Sequence, residues 1–343
     1  MNKKLLLGLF FLGVFLVGFF GTYFILSITD KNKVNKKQNV KRALEENVIP
    51  GAPNVDDDTT SFNVLLLGSG GAGHSGGGLT DSIIILHVEP KNKRVALISV
   101  PRDLSVPGNY KINASVVNVG LTNFKGVIQN ITGLPISYVI SVDFAGIVQI
   151  VDDLGGIEIS LDKAYDDHLY PVKGLENETC GKSAAEIADL HAKYSDFELE
   201  KQFTCRYEHV HADAGKSKID GSQALKLARS RHGDSDFGRS VRQFAILKGI
   251  SQKLISMDAI KNIEDIYETL IQSVKTDISL NIVKDISNLL ENPSEYKVNE
   301  AHLTEENVLV SSRSSAGAYI LIPKSGVNNF SQIKSFISES IKK

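Results

Sequence analysis

The sequence predicts an α/β layered domain behind an amino-terminal membrane helix. Three features of the 343-residue chain lead there. An uncharged apolar run from Leu5 to Ile28 is long enough to cross a bilayer core as a helix. Beyond it, short runs rich in isoleucine, leucine and valine alternate with stretches of helical periodicity. The composition, 42% apolar and 23% charged, is that of a folded protein with a sizeable core, and a formal net charge of −2 offers nothing global to a nucleic acid.

Residues 1–28 read as a cytoplasmic stub and a retained anchor, because the apolar run exceeds a signal-peptide core and no small-x-small cleavage site follows it. Charge alone leaves the orientation open. Lys3 and Lys4 favour an internal amino end, whereas Lys31, Lys33, Lys36, Lys37, Lys41 and Arg42 on the far side favour the reverse. Residues 29–60 are polar without amphipathic period and read as a flexible linker, whose basic half also suits anionic lipid head groups.

The domain, residues 61–343, begins with strand-type runs at Phe62–Leu67, Ser82–Val88 and Arg94–Val100. Between the first two lies a glycine loop, Gly68 to Asp81, carrying His74. A nucleotide-binding phosphate loop is disfavoured: no Gly-Lys-Ser/Thr closes it, and a strand rather than a helix follows. A flap over a site or a plain long loop remains, with Asp81 a carboxylate that can meet a metal ion. At the end of the third strand, V-P-R-D-L places Arg102 and Asp103 as either functional groups or an ion pair closing a loop. Lys111-Ile112-Asn113 follows a turn. Then come a helix at 121–132, a strand at 138–142, a helix over 143–153, a glycine turn and a strand at 157–159.

From about 164 to 218 the apolar pattern weakens, and Cys180 and Cys205 appear with His168, His191, His209 and His211. Two readings stand. Outside the cytoplasm the cysteines form one disulfide; alternatively the segment holds a metal, although the spacing matches no standard ligand pattern.

Four of the nine arginines fall in Ala228–Leu247, as Arg229, Arg231, Arg239 and Arg242. Arginine's rigid fork binds carboxylate or phosphate oxygens two at a time. Arg229 and Arg231 share one side of an extended segment, and Arg239 and Arg242 share one face of a helix. Asp236 can cap that helix, in which Val241, Phe244, Leu247, Ile250 and Leu254 recur at helical spacing. An anion would relieve the clash of the arginines with the positive end of the helix, and Asp234 and Asp236 can supply it internally as a salt-bridge network. Helical patterns at 262–273 and 281–290, a strand pair near 307–311 and 318–322, and a last helix at 330–341 complete the chain.

Taken together, L-T-D-S (Asp81), S-V-P-R-D-L (Arg102, Asp103), K-I-N-A (Asn113), V-D-D-L-G-G-I-E-I and A-R-S-R-H-G-D-S-D-F-G-R-S-V-R-Q resemble, in order and spacing, the LytR-CpsA-Psr family of membrane-anchored enzymes that attach glycopolymers to bacterial cell walls. The resemblance implies a mixed central sheet flanked by helices, enclosing an apolar tunnel for a lipid tail. It implies a phosphotransferase moving a glycan from a polyprenyl-pyrophosphate lipid to peptidoglycan. The catalytic set it points to is Arg102, Asp103, Arg229, Arg231 and Asp236. Arg102, Asn113, Arg229, Arg231, Arg239 and Arg242 are expected around the substrate, and Asp81 on Mg2+. It also places the protein in the bacterial cell membrane as a single-pass chain, amino end inside and domain outside. In the family the first loop commonly carries Asp and Arg where this chain has Gly70 and Leu79. That departure leaves open a non-catalytic polyprenyl-phosphate-binding homologue, and the basic flank after the anchor leaves open a regulator of the cell envelope with its domain in the cytoplasm.

Overall fold

The computed structural model describes residues 60–71, 77–256, 264, 267–268, 271–290 and 295–343. The expected anchor at 5–28, the linker up to residue 59 and His74 lie outside the described residues. Among the described residues no helix is long and apolar enough to cross a membrane.

The strands are β1 (Phe62–Ser69), β2 (Thr80–Glu89), β3 (Arg94–Ser99), β4 (Ser105–Val106), β5 (Tyr110–Lys111), β6 (Tyr138–Asp143) and β7 (Ile157–Leu161). They continue with β8 (Tyr165–Pro171), β9 (Tyr207–Ala212), β10 (Gly215–Ile219), β11 (Val274–Thr276), β12 (Lys297–His302), β13 (Leu309–Arg313) and β14 (Tyr319–Pro323). The helices are α1 (Ser115–Thr132), α2 (Phe144–Asp153), α3 (Ala184–Lys193), α4 (Asp196–Glu200), α5 (Gly221–Arg229), α6 (Asp236–Ser256), α7 (Leu280–Leu289) and α8 (Ser331–Ser340).

One six-stranded sheet, in the order β11-β6-β1-β2-β3-β12, organises the chain. It is mixed: β1 runs parallel to β6 and β3 to β12, while β1–β2, β2–β3 and β6–β11 are antiparallel. Strand side chains alternate between faces, so Val64 and Leu66 join one core and Leu65 and Leu67 the other. The first core takes its cover from α2, α5, α6 and α7, the second from α1 and α8. Helices on both faces explain why β1 to β3 read as nearly continuous apolar runs.

The helix expected from Leu121 is the second half of α1, which is interrupted at Gly120, where φ is +76°. Two sheet strands carried no clear sequence signal. β12 is polar at the sheet edge, and β11 begins at Val274, directly after the stretch expected to be helical; most of that stretch lies outside the described residues.

Between β7 and β10 the chain makes a long two-stranded arm. β7 pairs with β10 and β8 with β9, all antiparallel. Inserted between β8 and β9 are α3 and α4, neither of which buries a residue, and a Cys180–Cys205 disulfide.

Candidate functional site

At one end of the sheet the registers bring a polar rim together. Ser69 of β1 lies level with Thr80 of β2 and Asp143 of β6, and Gly68 lies level with Ser82. The step in register between Gly68 and Ser69 leaves Asp81 as an extra residue of β2. Such a bulge re-aims its side chain. Asp81 forms an ion pair with Arg102, which follows β3. Further along the same strands, Leu66, Ile84 and Ile140 lie level with one another and are apolar.

Apart from Thr80, these residues line one cavity of about 270 Å³, completed by α2, α5 and α6. Its helical walls repeat the gradient seen on the strands. On α6 the lining residues run from Arg239 through Gln243 to Ile246 and Leu247, and on α5 from Leu225 through Ala228 to Arg229. The cavity therefore has an arginine-rich end and an apolar interior. Among the described residues its lining includes four arginines, Arg102, Arg229, Arg231 and Arg239, and two aspartates, Asp81 and Asp143.

Local chemistry fixes each cation. Arg229, the last residue of α5, donates to the Tyr170 hydroxyl at 2.9 Å, and its guanidinium lies 4.2 Å from the centroid of the Phe144 ring. Burial pushes the Tyr170 phenol above its ordinary pKa while Arg229 opposes the rise, so the hydroxyl stays protonated as Arg229's acceptor. Ser230 turns away from the cavity and donates to Asp167 of β8. Asp167 also accepts from the N–H groups of Arg231 and His232, both at 3.2 Å, which brings Arg231 back to the cavity wall. The close approach depends on Gly233, where a Cβ would lie 2.0 Å from the Asp166 carbonyl oxygen. Arg239, buried in the first turn of α6, lines the same wall.

Three expected site residues prove to stand behind the wall. Arg242 is buried, donates through Nε to Leu227 O at 2.9 Å and through Nη2 to Ser230 O, pairs with Asp234, and stacks on Tyr165. Each nitrogen of its fork already has a protein acceptor, so it clamps the Arg229–Arg231 turn from behind. Asp103 is buried between Lys111 at 2.6 Å and Arg102 at 3.5 Å, and braces Arg102 from behind. Asn113 is buried as well, and its backbone N–H donates to Arg102 O at 3.2 Å. The Asp236 side chain lies outside the described residues, although Asp236 opens α6.

Asp143 and Gln243 were not anticipated. Asp143 caps α2 by accepting from Gly146 N at 2.8 Å, and Gln243 accepts from Ser82 Oγ at 3.0 Å and donates to Ala228 O at 3.1 Å. An Asp directly before a helical pattern signals a cap, which hid its second position on the cavity wall. At the glycine loop, a Cβ on Gly71 would come 2.7 Å from Asp143 Oδ2, so the loop can pass the carboxylate closely only as glycine. Among the described residues, Asp81 and Asp143 are the carboxylates on this wall that could hold a hard divalent cation. Magnesium needs one or two such groups when it shares its remaining positions with phosphate and water, so the donor set fits.

A sequence profile of the LytR_cpsA_psr family matches residues 22–334. The chain belongs to this family. Among curated LytR_cpsA_psr relatives it is 28% identical over 235 residues to the polyisoprenyl-teichoic acid–peptidoglycan teichoic acid transferase TagU of Enterococcus faecalis. It is 26% identical over 236 residues to the correspondingly named transferase TagV of Bacillus subtilis. Each match takes in 66% of this chain, but only 64% and 52% of those relatives' own lengths. The crystal structure of Bacillus subtilis TagV superposes with a TM-score of 0.58 at 23% identity, over 82% of this chain and 98% of TagV, which makes the mixed α/β fold a shared one.

Proposed function

We propose that this protein is a membrane-anchored phosphotransferase that moves a glycopolymer from a polyprenyl-pyrophosphate lipid to a hydroxyl of peptidoglycan; its relatives are named as polyisoprenyl-teichoic acid–peptidoglycan teichoic acid transferases. The observation that carries this reading is the gradient along the cavity, from guanidinium groups at one end to apolar side chains inside. A ligand matching it is an anion joined to a hydrocarbon tail.

The acceptor oxygen attacks the phosphorus next to the sugar, the bond from that phosphorus to the bridging oxygen breaks, and polyprenyl phosphate departs with the electron pair. The hydroxyl proton passes to a base, for which Asp236 is the sequence's candidate. Arg229 and Arg231 bind non-bridging oxygens, Arg102 and Arg239 add charge, and Asp143 with Asp81 would hold Mg2+, which supplies further neutralisation of the phosphate charge. The anchor is Leu5–Ile28, with the domain on the outer side of the bacterial membrane.

The test is transfer by the full chain, in detergent with Mg2+, from a lipid-linked glycan to peptidoglycan. Arg229→Ala and Arg231→Ala are each expected to lower the rate by ~100-fold or more, and full activity in both variants would overturn the reading. Gly70 and Leu79 favour a second reading, a polyprenyl-phosphate-binding homologue without turnover. It predicts that lipid co-purifies with the protein while transfer stays at background.

A further inference from the structure

On the exposed face of the arm, the β8–β9 pairing assembles a second group of side chains, none of which lines the cavity. Asp166 and His168 are two apart on β8, and His209, His211 and Asp213 are two apart along and just beyond β9. Residues at this spacing share a strand face, and Asp166 stands directly opposite His211 in the register. All five are exposed, while their neighbours Asp167, Val210 and Ala212 are buried.

The geometry is specific. His209 Nε2 lies 2.6 Å and His211 Nδ1 3.0 Å from the same Asp166 oxygen, Oδ1. One ligand atom from each of these three residues lies within 4.8 Å of the others. On its far side His211 presents Nε2 to Asp213 at 3.2 Å. A carboxylate at the second nitrogen of an imidazole fixes the tautomer that leaves the first nitrogen's lone pair available to a metal. His168 stacks on His209 with centroids 4.1 Å apart and limits its rotation.

We infer that this face of the hairpin binds one divalent transition-metal ion of the Zn2+ class, through Asp166 Oδ1, His209 Nε2 and His211 Nδ1, with Asp213 orienting His211. Two imidazoles and one carboxylate suit zinc and its neighbours rather than magnesium or calcium, which take oxygen ligands. Tetrahedral coordination with metal–ligand bonds near 2.0–2.1 Å separates ligand atoms by about 3.3 Å. The present separations need only a small opening, which exposed side chains on a paired backbone can provide. Bound metal would cross-link β8 to β9 on the face opposite Asp167, the residue that holds Arg231 and His232. The inference rests on the hairpin alone and stands whether or not the cavity catalyses transfer.

The experiment is calorimetric titration of ZnCl2 into the full chain in detergent, stripped with chelator and carrying no polyhistidine tag, with an excess of Mg2+ present throughout. One Zn2+ per chain is expected. His209→Ala and His211→Ala should each weaken binding ~100-fold or more, and Asp213→Asn about 10-fold. His191→Ala, on the exposed helix α3 outside the group, should leave it unchanged. Because the altered residues are exposed, each variant should retain its metal-free melting temperature. Absence of zinc binding, or binding that persists in the His209→Ala/His211→Ala double variant, would overturn the inference.

Discussion

Asp167 shows how one buried carboxylate can set the geometry of a cation site it does not face. Burial by itself would raise its pKa, but hydrogen bonds from Ser230, Leu169 and His232, with the nearby His232 ring, outweigh burial and hold it below the ordinary 3.8. A carboxyl depressed in the folded state stabilises the protein above the unfolded value, and that contribution disappears as pH falls through the folded one. Asp167→Asn is therefore expected to lower the melting temperature clearly at neutral pH, with the difference from the wild type shrinking once the pH falls below 3.8. Thermal melts of both proteins across that range check it, and a pH-independent difference would show that the charge is not what matters. At this scale the sequence was partly legible. Arg229 and Arg231 could be read because arginine two apart in an extended turn has few other uses, and both line the cavity. Arg242 could not be separated from them, since nothing in the local pattern reveals that the carbonyls of Leu227 and Ser230 occupy its fork. Tyr170 and Asp167 escaped because they reach the arginines from a strand some sixty residues earlier.

The inserted arm illustrates why elements without a core of their own need other fastenings. Helices α3 and α4 bury no side chains, so apolar burial contributes little to holding them. Arg206 bonds Glu200 at 2.9 Å and Glu178 O at 2.8 Å, Phe197 stacks on His232 at 4.8 Å, and the disulfide closes a 25-residue separation. Closing a loop of that length removes unfolded-chain entropy worth about 3.5 kcal/mol on the chain-entropy account. Cys180→Ser should accordingly open residues 181–204 to proteolysis and hydrogen exchange while the protection of β1 to β3 stays unchanged. Equal loss of protection in both regions would mean that the arm and the sheet unfold together. The arm's strands were illegible because β8 and β9 alternate charged and histidine residues with apolar ones too briefly to declare a strand. Their partner lies across an intervening pair of helices. For the same reason the D-x-H and H-x-H-x-D spacings gave no ligand pattern until the register placed them side by side.

For the molecule as a whole, the central consequence of the fold is that a single sheet end gathers segments distant in sequence around an amphiphilic cavity. β1 to β3 and the α/β alternation were readable because strands buried on both faces are apolar throughout. The edge strand β12 was not, since one side of it meets solvent and its polar residues mimic a loop. The two halves of the cavity are contributed by different parts of this layered arrangement, and they should be separable by mutation. Ile147 of α2 lies on the apolar part of the wall and packs against the core on that face, away from the four lining arginines in composition and role. Ile147→Trp adds volume where a hydrocarbon tail would lie and removes no cation. A tail-bearing pyrophosphate glycan is expected to bind ~10-fold or more weakly to this variant, about the cost of losing two buried methylene contacts. A tail-less sugar pyrophosphate should bind as it does to the wild type. Arg231→Ala should weaken both ligands alike. Equal weakening of both ligands by Ile147→Trp would mean that head and tail are not recognised by separate halves of the cavity.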